Sequence, residues 1–293
     1  GVLKMINAIK MDIYKMFKSK STWILLMCII AVSFATVGIM KITINQFKDN
    51  PALLEQVEQA SSDENVSVGF TAKTDNIMDH INGAKFSINE LFSSMTNGSM
   101  ISMLVAIFCL IFFNSELKTG YIKNLVGQFT RRRYLIFSKL VVAFLFTIFT
   151  FAFSICAMIL GSKVFLGYVI SGGMSSLIKI VLTQFILMFA ICALILFIVE
   201  WLRNTAGSIT ASMCIVAGIA NVLVMFLSKL LTGNNIIKDK DFTLSKYILT
   251  GNISTIGPAS SSKDILTAVI VAGVFLIISV VGSVFVLEKR DIK

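Results

Sequence analysis

Charged residues and chain-breaking residues are scarce in this sequence. Asp, Glu, Lys and Arg together make up 14% of the 293 residues, whereas soluble domains contain about 25%. Only two prolines are present, which excludes a Pro-rich disordered chain. Because a water-soluble protein of this length needs many more charged side chains to cover its surface, the composition argues against a soluble globular domain.

Residues that carry the common catalytic and metal-binding chemistries are scarce as well. The five cysteines all lie in apolar stretches without a Cys-x-x-Cys pair, and His80 is the only histidine. The sequence therefore encodes neither a disulfide framework nor a zinc site. One histidine cannot supply the ligands or the base of an intramembrane protease, and no Gly-x-x-x-x-Gly-Lys-Ser/Thr loop is present for ATP. We therefore expect the chain not to be an enzyme.

Long apolar segments dominate what remains. Hydrophobic residues make up 56% of the sequence, and the mean hydropathy is +0.85. A helix of about 20 apolar residues crosses a bilayer, because lipid offers no partner to open backbone groups. Six segments reach this length, at 22–40, 91–113, 140–160, 180–199, 207–228 and 265–287. The sequence thus predicts an all-α membrane protein with six transmembrane helices in a single transmembrane domain over residues 1–293.

Residues 1–21 form a basic, amphipathic segment ahead of the first span. At helical spacing one face is apolar, and it comprises Leu3, Ile6, Ile9, Ile13, Met16 and Phe17. The lysines lie largely on the other faces, where they can contact anionic lipid headgroups. This pattern predicts an N-terminal amphipathic interfacial helix that lies in the membrane surface. A basic flank that only anchors the first span is the alternative.

Charge is distributed unevenly between the two sides of this predicted arrangement. Four segments lie on the side of the termini, namely 1–21, 114–139, 200–206 and 288–293. Together they hold 15 Lys and Arg residues and 5 acidic residues. Three segments lie on the other side, namely 41–90, 161–179 and 229–264. Together they hold 11 Lys and Arg residues and 11 acidic residues. Because basic loops stay in the cytoplasm, we expect both termini to be cytoplasmic. Membrane orientation accounts for the net charge of +10, so we expect no nucleic-acid partner.

The two long outer loops differ in character. The loop 41–90 ends in a sequence typical of a capping box, formed by Ser87 and Glu90. We therefore expect the second membrane helix to begin near Ile88. The loop 229–264 is moderately apolar, so it is expected either to lie on the outer membrane surface or to dip into it.

The predicted spans lack the groups that ion-coupled transport requires. None of them carries an ionisable residue in its interior, and Lys179 and Glu200 stand at span ends. Proton or sodium coupling needs a group that titrates or coordinates an ion at depth. A transporter of this composition must therefore take its energy from a partner. The loop 114–139, with six positive charges and one acid, and the N-terminal helix are the surfaces where a soluble motor can dock.

The loop 114–139 also carries an ordered set of residues. They are Glu116, Gly120, Ile122, Lys123 and Leu125, then Arg131 to Arg133, and Lys139 at the start of the third span. Together with the layout of the whole chain, this pattern resembles the permeases of type-2 ATP-binding-cassette (ABC) exporters. Tyr121 stands where that family often has threonine, and 128–130 replaces a turn that often contains proline. The large loop after the first span is similar to that of bacitracin-resistance, lantibiotic-immunity and peptide-exporter permeases.

The resemblance implies a type-2 ABC exporter permease architecture in a bacterial plasma membrane. It implies a homo- or heterodimer of permease chains and two separate ABC ATPase subunits that hold ATP and Mg²⁺, so that this chain itself holds no cofactor or metal. The loop 115–134 would then be the coupling element on the motor, and 200–206 a second contact. The implied motor-coupling residues are Glu116, Gly120, Tyr121, Ile122, Lys123, Arg131, Arg132, Arg133 and Lys139. Glu116 would pair with Lys139 or with an arginine across the loop, or remain unpaired at the interface.

The expected cargo follows from the same resemblance and from composition. Spans rich in Phe and Met without buried charge suit an amphipathic or antimicrobial peptide, or another hydrophobic cargo, better than a sugar. Two alternatives remain open. One is a permease for lipid-linked, small hydrophobic or ion cargo. The other is a non-transporting membrane sensor or scaffold that binds a ligand through its acidic outer loop.

Overall fold

Helices make up the regular structure of the described part of the chain. The computed structural model describes residues 2–49, 85–118, 133–168, 172–219, 222, 226, 244–258 and 260–289. The helices are α1 (Val2–Lys18), α2 (Lys20–Asp49), α3 (Ile88–Asn97), α4 (Met100–Lys118), α5 (Arg133–Phe165), α6 (Met174–Leu202), α7 (Thr205–Val216), α8 (Leu249–Thr255) and α9 (Ser262–Lys289). A 3₁₀ helix, Leu244–Tyr247, precedes α8. The predicted all-α class is confirmed.

Four of these helices are long and apolar enough to cross a membrane, namely α2, α5, α6 and α9. The pair α3 and α4 meets the same criterion jointly but is bent by 55°. The bend lies at Gly98–Ser99, where Ser99 has a φ of 58°. The described residues thus contain four candidate spans, or five if the bent pair is one span. Much of the predicted fifth span beyond α7 lies outside the described residues, so the number six stays a prediction.

The helices run beyond the apolar segments that predicted them. α2 continues to Asp49, nine residues past the predicted end of the first span, and α5 begins at Arg133 rather than near 140. Counting apolar residues measures the hydrocarbon thickness, whereas a helix continues wherever its backbone hydrogen bonds can continue. Parts of the predicted loops 41–90 and 114–139 are therefore helical, while their position outside the membrane stays a prediction. Residues 119–132, between the described ends of α4 and α5, lie outside the described residues.

The start of α3 agrees with its sequence signal. Ser87 is the N-cap residue, and its Oγ accepts a hydrogen bond from the Asn89 amide at 3.2 Å. In return, the Ser87 amide donates to Oε2 of Glu90 at 2.9 Å. This reciprocal pairing satisfies amides that a helix start leaves open. The predicted capping box and the predicted helix start at Ile88 are confirmed.

α6 is the central helix of the bundle. It packs against α3, α4, α5, α7, α8 and α9, and 61% of its most apolar window is buried. By contrast, only 22% of the most apolar stretch of α9 is buried, because α9 packs mainly against the single helix α6. A movement of α6 would therefore displace side chains at its contacts with most of the described helices.

Glycine permits the close approach of α9 to α6. A Cβ added at Gly282 would lie 2.7 Å from the ring of Phe197. Small residues that include Gly207 also lie on the predicted fifth span. There, a Cβ would meet only atoms of Asn204, at 3.8 Å and beyond. A stripe of small residues does not by itself tell which helix faces it, so the sequence could not place this contact.

The connector before α9 packs into the bundle. Leu249, Ile253 and Ile256 are buried, and α8 contacts α3, α6 and α9. The Gln184 side chain of α6 donates from Nε2 to the carbonyl oxygen of Ile253 at 3.1 Å. The described part of the predicted loop 229–264 is therefore held against other helices by apolar burial and by a buried amide.

Candidate functional site

The ends of several helices meet at one end of the bundle. These are the end of α1 at Lys18, the end of α4 at Lys118, the start of α5 at Arg133, the end of α6 at Leu202 and the start of α7 at Thr205. We call this region the basic end. The side-chain contacts described below, between α1 and α5, α5 and α6, and α4 and α7, bring these helix ends together. The basic end also includes the described parts of the loop 114–139, which was predicted to contact a motor.

A buried ion pair joins α5 and α6 at the basic end. Nζ of Lys139 lies 3.0 Å from Oε1 of Glu200, and the two side chains are 3% and 2% exposed. Lys139 belongs to the second turn of α5, and Glu200 belongs to the last turn of α6. Removing two charges from water is costly, so each charge depends on the other for its stabilisation. The pair therefore holds these two helices in one register.

The residue before Lys139 fixes α1 to the same turn of α5. Ser138 Oγ donates a hydrogen bond to Oδ2 of Asp12 at 2.5 Å, and Asp12 is 1% exposed. The buried face of α1 consists of Ala8, Asp12 and Met16, which follow one another at four-residue spacing. The predicted N-terminal helix is confirmed, but a polar contact attaches it to the bundle.

The predicted apolar face of α1 is divided between two surroundings. Met16 is fully buried against the bundle, whereas Ile6 and Phe17 are exposed. Phe17 also makes an edge contact with the Phe149 ring of α5, with ring centres 5.9 Å apart. Ile6 and the exposed part of Phe17 are apolar, so they are available to lipid. The interfacial position of α1 itself stays a prediction.

A third polar contact joins α4 and α7. Ser208 Oγ donates to Oδ1 of Asn114 at 3.1 Å, and both residues are buried. Asn114 also donates from Nδ2 to the carbonyl oxygen of Leu110 in its own helix at 2.9 Å. Interhelical hydrogen bonds of this kind contribute about 0.6 kcal/mol on average in membrane proteins. The contact therefore specifies how the two helix ends face each other more than it stabilises them.

The turn between α6 and α7 contains an arginine with an uncommon backbone conformation. Arg203 adopts a left-handed backbone with φ of 48°, which is uncommon for residues other than glycine. Asn204 then caps α7 by accepting a hydrogen bond from the Ala206 amide at 3.2 Å. Nε and Nη2 of Arg203 are buried and have no hydrogen-bond partner in the described part of the protein. These two N–H donors are therefore closed to solvent in this arrangement of the helices.

The structure describes three of the nine predicted motor-coupling residues. Glu116 lies in the last turn of α4, and its side chain lies outside what is described. Arg133 opens α5 and is partly buried, and Lys139 is buried in the ion pair with Glu200. The remaining six, Gly120, Tyr121, Ile122, Lys123, Arg131 and Arg132, lie outside the described residues. The predicted pairing of Glu116 therefore stays a prediction.

Sequence reasoning missed two features of the basic end. It did not connect Lys139 with Glu200, which are 61 residues apart, because nothing local links them. It also left Asp12 out, although a signal existed. Asp12 is the only acid among residues 1–21, and it lies four residues from both Ala8 and Met16. An acid in line with a small residue and an apolar residue indicates a helix face that is buried against a hydrogen-bond donor.

We expect Ser138→Ala to loosen α1. The substitution removes the hydroxyl that donates to the buried carboxylate of Asp12, and weakening the hydrogen bonding of a buried charged group costs about 1–3 kcal/mol. Hydrogen exchange should therefore become faster in residues 2–18, with little change in α9. The matched control is Ser154→Ala in the same helix, because the Ser154 hydroxyl bonds only to Phe151 of its own helix. Equal exchange of α1 in both variants would contradict the attachment.

The described residues define the class of the protein. They form an all-α membrane protein in which apolar helices surround α6, and no group of three or more potential metal-ligating side chains occurs within them. The chain belongs to a family described as a protein of unknown function (DUF2705), whose model matches residues 52–293. The match includes α3 to α9, while α1 and α2 precede it. No curated protein matches the sequence.

Proposed function

We propose that this chain is the transmembrane permease subunit of an ATP-driven ABC exporter of amphipathic or antimicrobial peptides, or of similar hydrophobic cargo. In this proposal two ABC ATPase subunits bind and hydrolyse ATP with Mg²⁺, and a second permease chain completes the dimer. The chain crosses a bacterial plasma membrane several times. Both termini and the basic end face the cytoplasm, where the motor is.

The ion pair between Lys139 and Glu200 is the observation that carries this proposal. The basic loop 114–139, which contains the predicted coupling element 115–134 and ends at Lys139, is far in the sequence from the predicted second contact 200–206. The pair joins them at 3.0 Å in a buried setting. A displacement of either segment by a motor is therefore passed directly to α5 and to the central helix α6. Such a connection is what a motor-driven membrane protein needs at its docking face.

The other polar contacts support transmission in the same way. α5 is tied to α1 through Asp12, and α4 is tied to α7 through Asn114 and Ser208. Both helices that flank the link 119–132 thus have a partner within one or two turns of it. A force on this link would move paired helices and would not bend a single helix end.

Arg203 supports a contact with a partner protein. Its Nε–H and Nη2–H groups have no acceptor among the described residues, and a guanidinium binds a carboxylate through two parallel hydrogen bonds. Because both nitrogens are buried, a motor carboxylate would bind them once docking displaced this turn. The turn lies three residues from Glu200, so the contact would act on the same ion pair.

Co-purification with an ATPase tests the proposal. In the test variant, Arg131, Arg132 and Arg133 are all changed to glutamate. We expect the amount of ATPase recovered with this variant to be about tenfold lower than with the wild type, because truncation of interfacial charge pairs costs about 2–5 kcal/mol. The measurement is the amount of ATPase and of peptide-stimulated ATP hydrolysis recovered with the tagged chain from native membranes. The purified chain alone should hydrolyse no ATP.

A charge-matched control separates docking from membrane insertion. Lys48, Lys163 and Lys179 are exposed lysines towards the other end of the bundle, and changing all three to glutamate should leave the ATPase bound. Membrane insertion is checked by adding Ser62→Cys to the arginine variant and to the lysine control. In both proteins we expect this cysteine to react with a membrane-impermeant thiol reagent added outside intact cells. Wild-type chain that never carries an ATPase would favour a sensor or scaffold. ATP hydrolysis stimulated by lipid-linked cargo and not by peptide would favour the other permease.

A further inference from the structure

A pocket of about 380 Å³ opens at the basic end between α1, the start of α2 and the second half of α4. This volume lies within the range of ligand-binding clefts. One part of its lining is apolar and includes Phe108, Ile111 and Phe112 of α4. The other part includes Lys15, Lys18 and Ser19. The pocket is therefore amphipathic, with its apolar wall on α4 and its cations on α1.

The positive charge of the pocket is held in place by aromatic rings. Nζ of Lys15 lies 5.1 Å from the centre of the Phe112 ring, and Nζ of Lys18 lies 5.4 Å from the centre of the Tyr14 ring. An ammonium group over the face of an aromatic ring is attracted by the ring quadrupole. Both ammonium groups belong to residues that line the pocket. A ligand held here should therefore carry negative charge next to the lysines and apolar groups next to α4.

Aromatic residues place the pocket near the surface of the membrane. Trp23 is 53% exposed, and its indole Nε1 donates to the carbonyl oxygen of Phe17 at 2.9 Å. Tyr14 is 64% exposed. Amphipathic rings of this kind concentrate where headgroups meet hydrocarbon. The apolar part of α2 also begins next to Ser21 and Thr22, which line the pocket, so the lysines lie at the depth of the headgroups.

We propose that this pocket binds one anionic phospholipid of the adjacent leaflet. The headgroup phosphate contacts Lys15 and Lys18, with the hydroxyls of Ser19 and Ser21 as further donors. The first part of an acyl chain lies along Phe108, Ile111 and Phe112. The bound lipid joins α1 to α4 at the basic end, next to the loop proposed to contact the motor.

Other ligands of similar chemistry fit the pocket less well. A zwitterionic phospholipid would bring its own ammonium group close to the two lysines, which is unfavourable. A free phosphate would contact the lysines but leave the apolar wall in contact with water. An anionic lipid satisfies both parts of the lining.

Native mass spectrometry of the detergent-solubilised full-length chain tests the proposal. The probes are phosphatidylglycerol and phosphatidylcholine with identical acyl chains, titrated against the delipidated protein. We expect the variant K15Q/K18Q to bind phosphatidylglycerol on the order of 25-fold more weakly, because each lysine near a membrane surface contributes about fivefold. Binding of phosphatidylcholine should hardly change. The control K10Q/K163Q also removes two exposed lysines, neither of which lines the pocket, and should bind phosphatidylglycerol as the wild type does.

A second variant tests the apolar wall without changing charge. Ile111 is 44% exposed in the pocket, so Ile111→Trp should fill the space of the acyl chain and weaken phosphatidylglycerol binding about tenfold or more. Ile178→Trp is the matched control, since Ile178 is also exposed but lies on α6 away from the pocket. If K15Q/K18Q fails to fold, Ile111→Trp still decides the outcome, because it leaves both lysines in place.

Three results would overturn the proposal. The first is equal affinity of the wild type for the two lipids. The second is unchanged phosphatidylglycerol binding in both K15Q/K18Q and Ile111→Trp. The third is displacement of the lipid by glycerol phosphate or inorganic phosphate at comparable concentration, which would make the pocket a site for small anions. None of these results depends on the motor, so the proposed function can fail while the lipid site stands.

Discussion

Lys139→Met should lower the free energy of unfolding by about 3–5 kcal/mol, because it leaves a buried carboxylate without its cation. Glu200 accepts from Lys139 at 3.0 Å, and its side chain is 2% exposed. The loss should be visible as unfolding of the purified chain at a lower denaturing-detergent fraction in mixed micelles.

The double variant K139M/E200L distinguishes the ion pair from a packing defect. Replacing both charges by apolar side chains removes the unpaired carboxylate, so most of the stability should return. Lys163→Met is the control, because Lys163 is exposed on the same helix and should have almost no effect. If the double variant were as unstable as the single variant, the burial of charge would not be the cause.

The same double variant separates folding from function. If the ion pair connects the two motor contacts, K139M/E200L should insert and fold yet lose peptide-stimulated ATP hydrolysis in the proposed complex. Retained stimulation would leave the ion pair with a structural role only. A stable, uncoupled protein is therefore the expected outcome under the proposed function.

Gly251→Ala should be the most damaging of the small substitutions. An added Cβ would lie 2.1 Å from the carbonyl oxygen of Ser245, which belongs to the backbone of the preceding 3₁₀ helix. A backbone atom cannot move away by a side-chain rotation, so α8 and the 3₁₀ helix must separate. Overpacking of this kind typically costs about 1–3 kcal/mol, and it outweighs the gain of about 1 kcal/mol that alanine offers over glycine in a helix.

Gly273→Ala provides the matched control for this substitution. Gly273 lies in α9, and an added Cβ meets nothing within 4 Å. The substitution should therefore be neutral or slightly stabilising. Thermal unfolding of both variants in the same detergent gives the comparison, with hydrogen exchange of residues 249–255 as a local probe. An unchanged unfolding temperature for Gly251→Ala would show that the connector does not pack as described.

Local signals predicted local structure well. The start of α3 followed from Ser87 and Glu90, since a capping box needs only residues three apart. The N-terminal helix followed from apolar residues at helical spacing. Span boundaries were less accurate because hydropathy reports where hydrocarbon begins, and α5 begins well before that point, at Arg133. The break at Gly98–Ser99 left only a weak trace, namely a polar first half in the predicted span 91–113.

The sequence by itself determined that this is an all-α membrane protein. Its long apolar runs and scarce charge leave helices as the form in which the backbone groups of membrane segments pair within the chain. Only the tertiary structure decided which partner each buried charge has. Asp12 with Ser138, and Lys139 with Glu200, are contacts between helices that are distant in the chain, and no periodic pattern encodes them. Their partners are set by which helix ends pack together, because a buried charge needs a partner close in space and not in sequence.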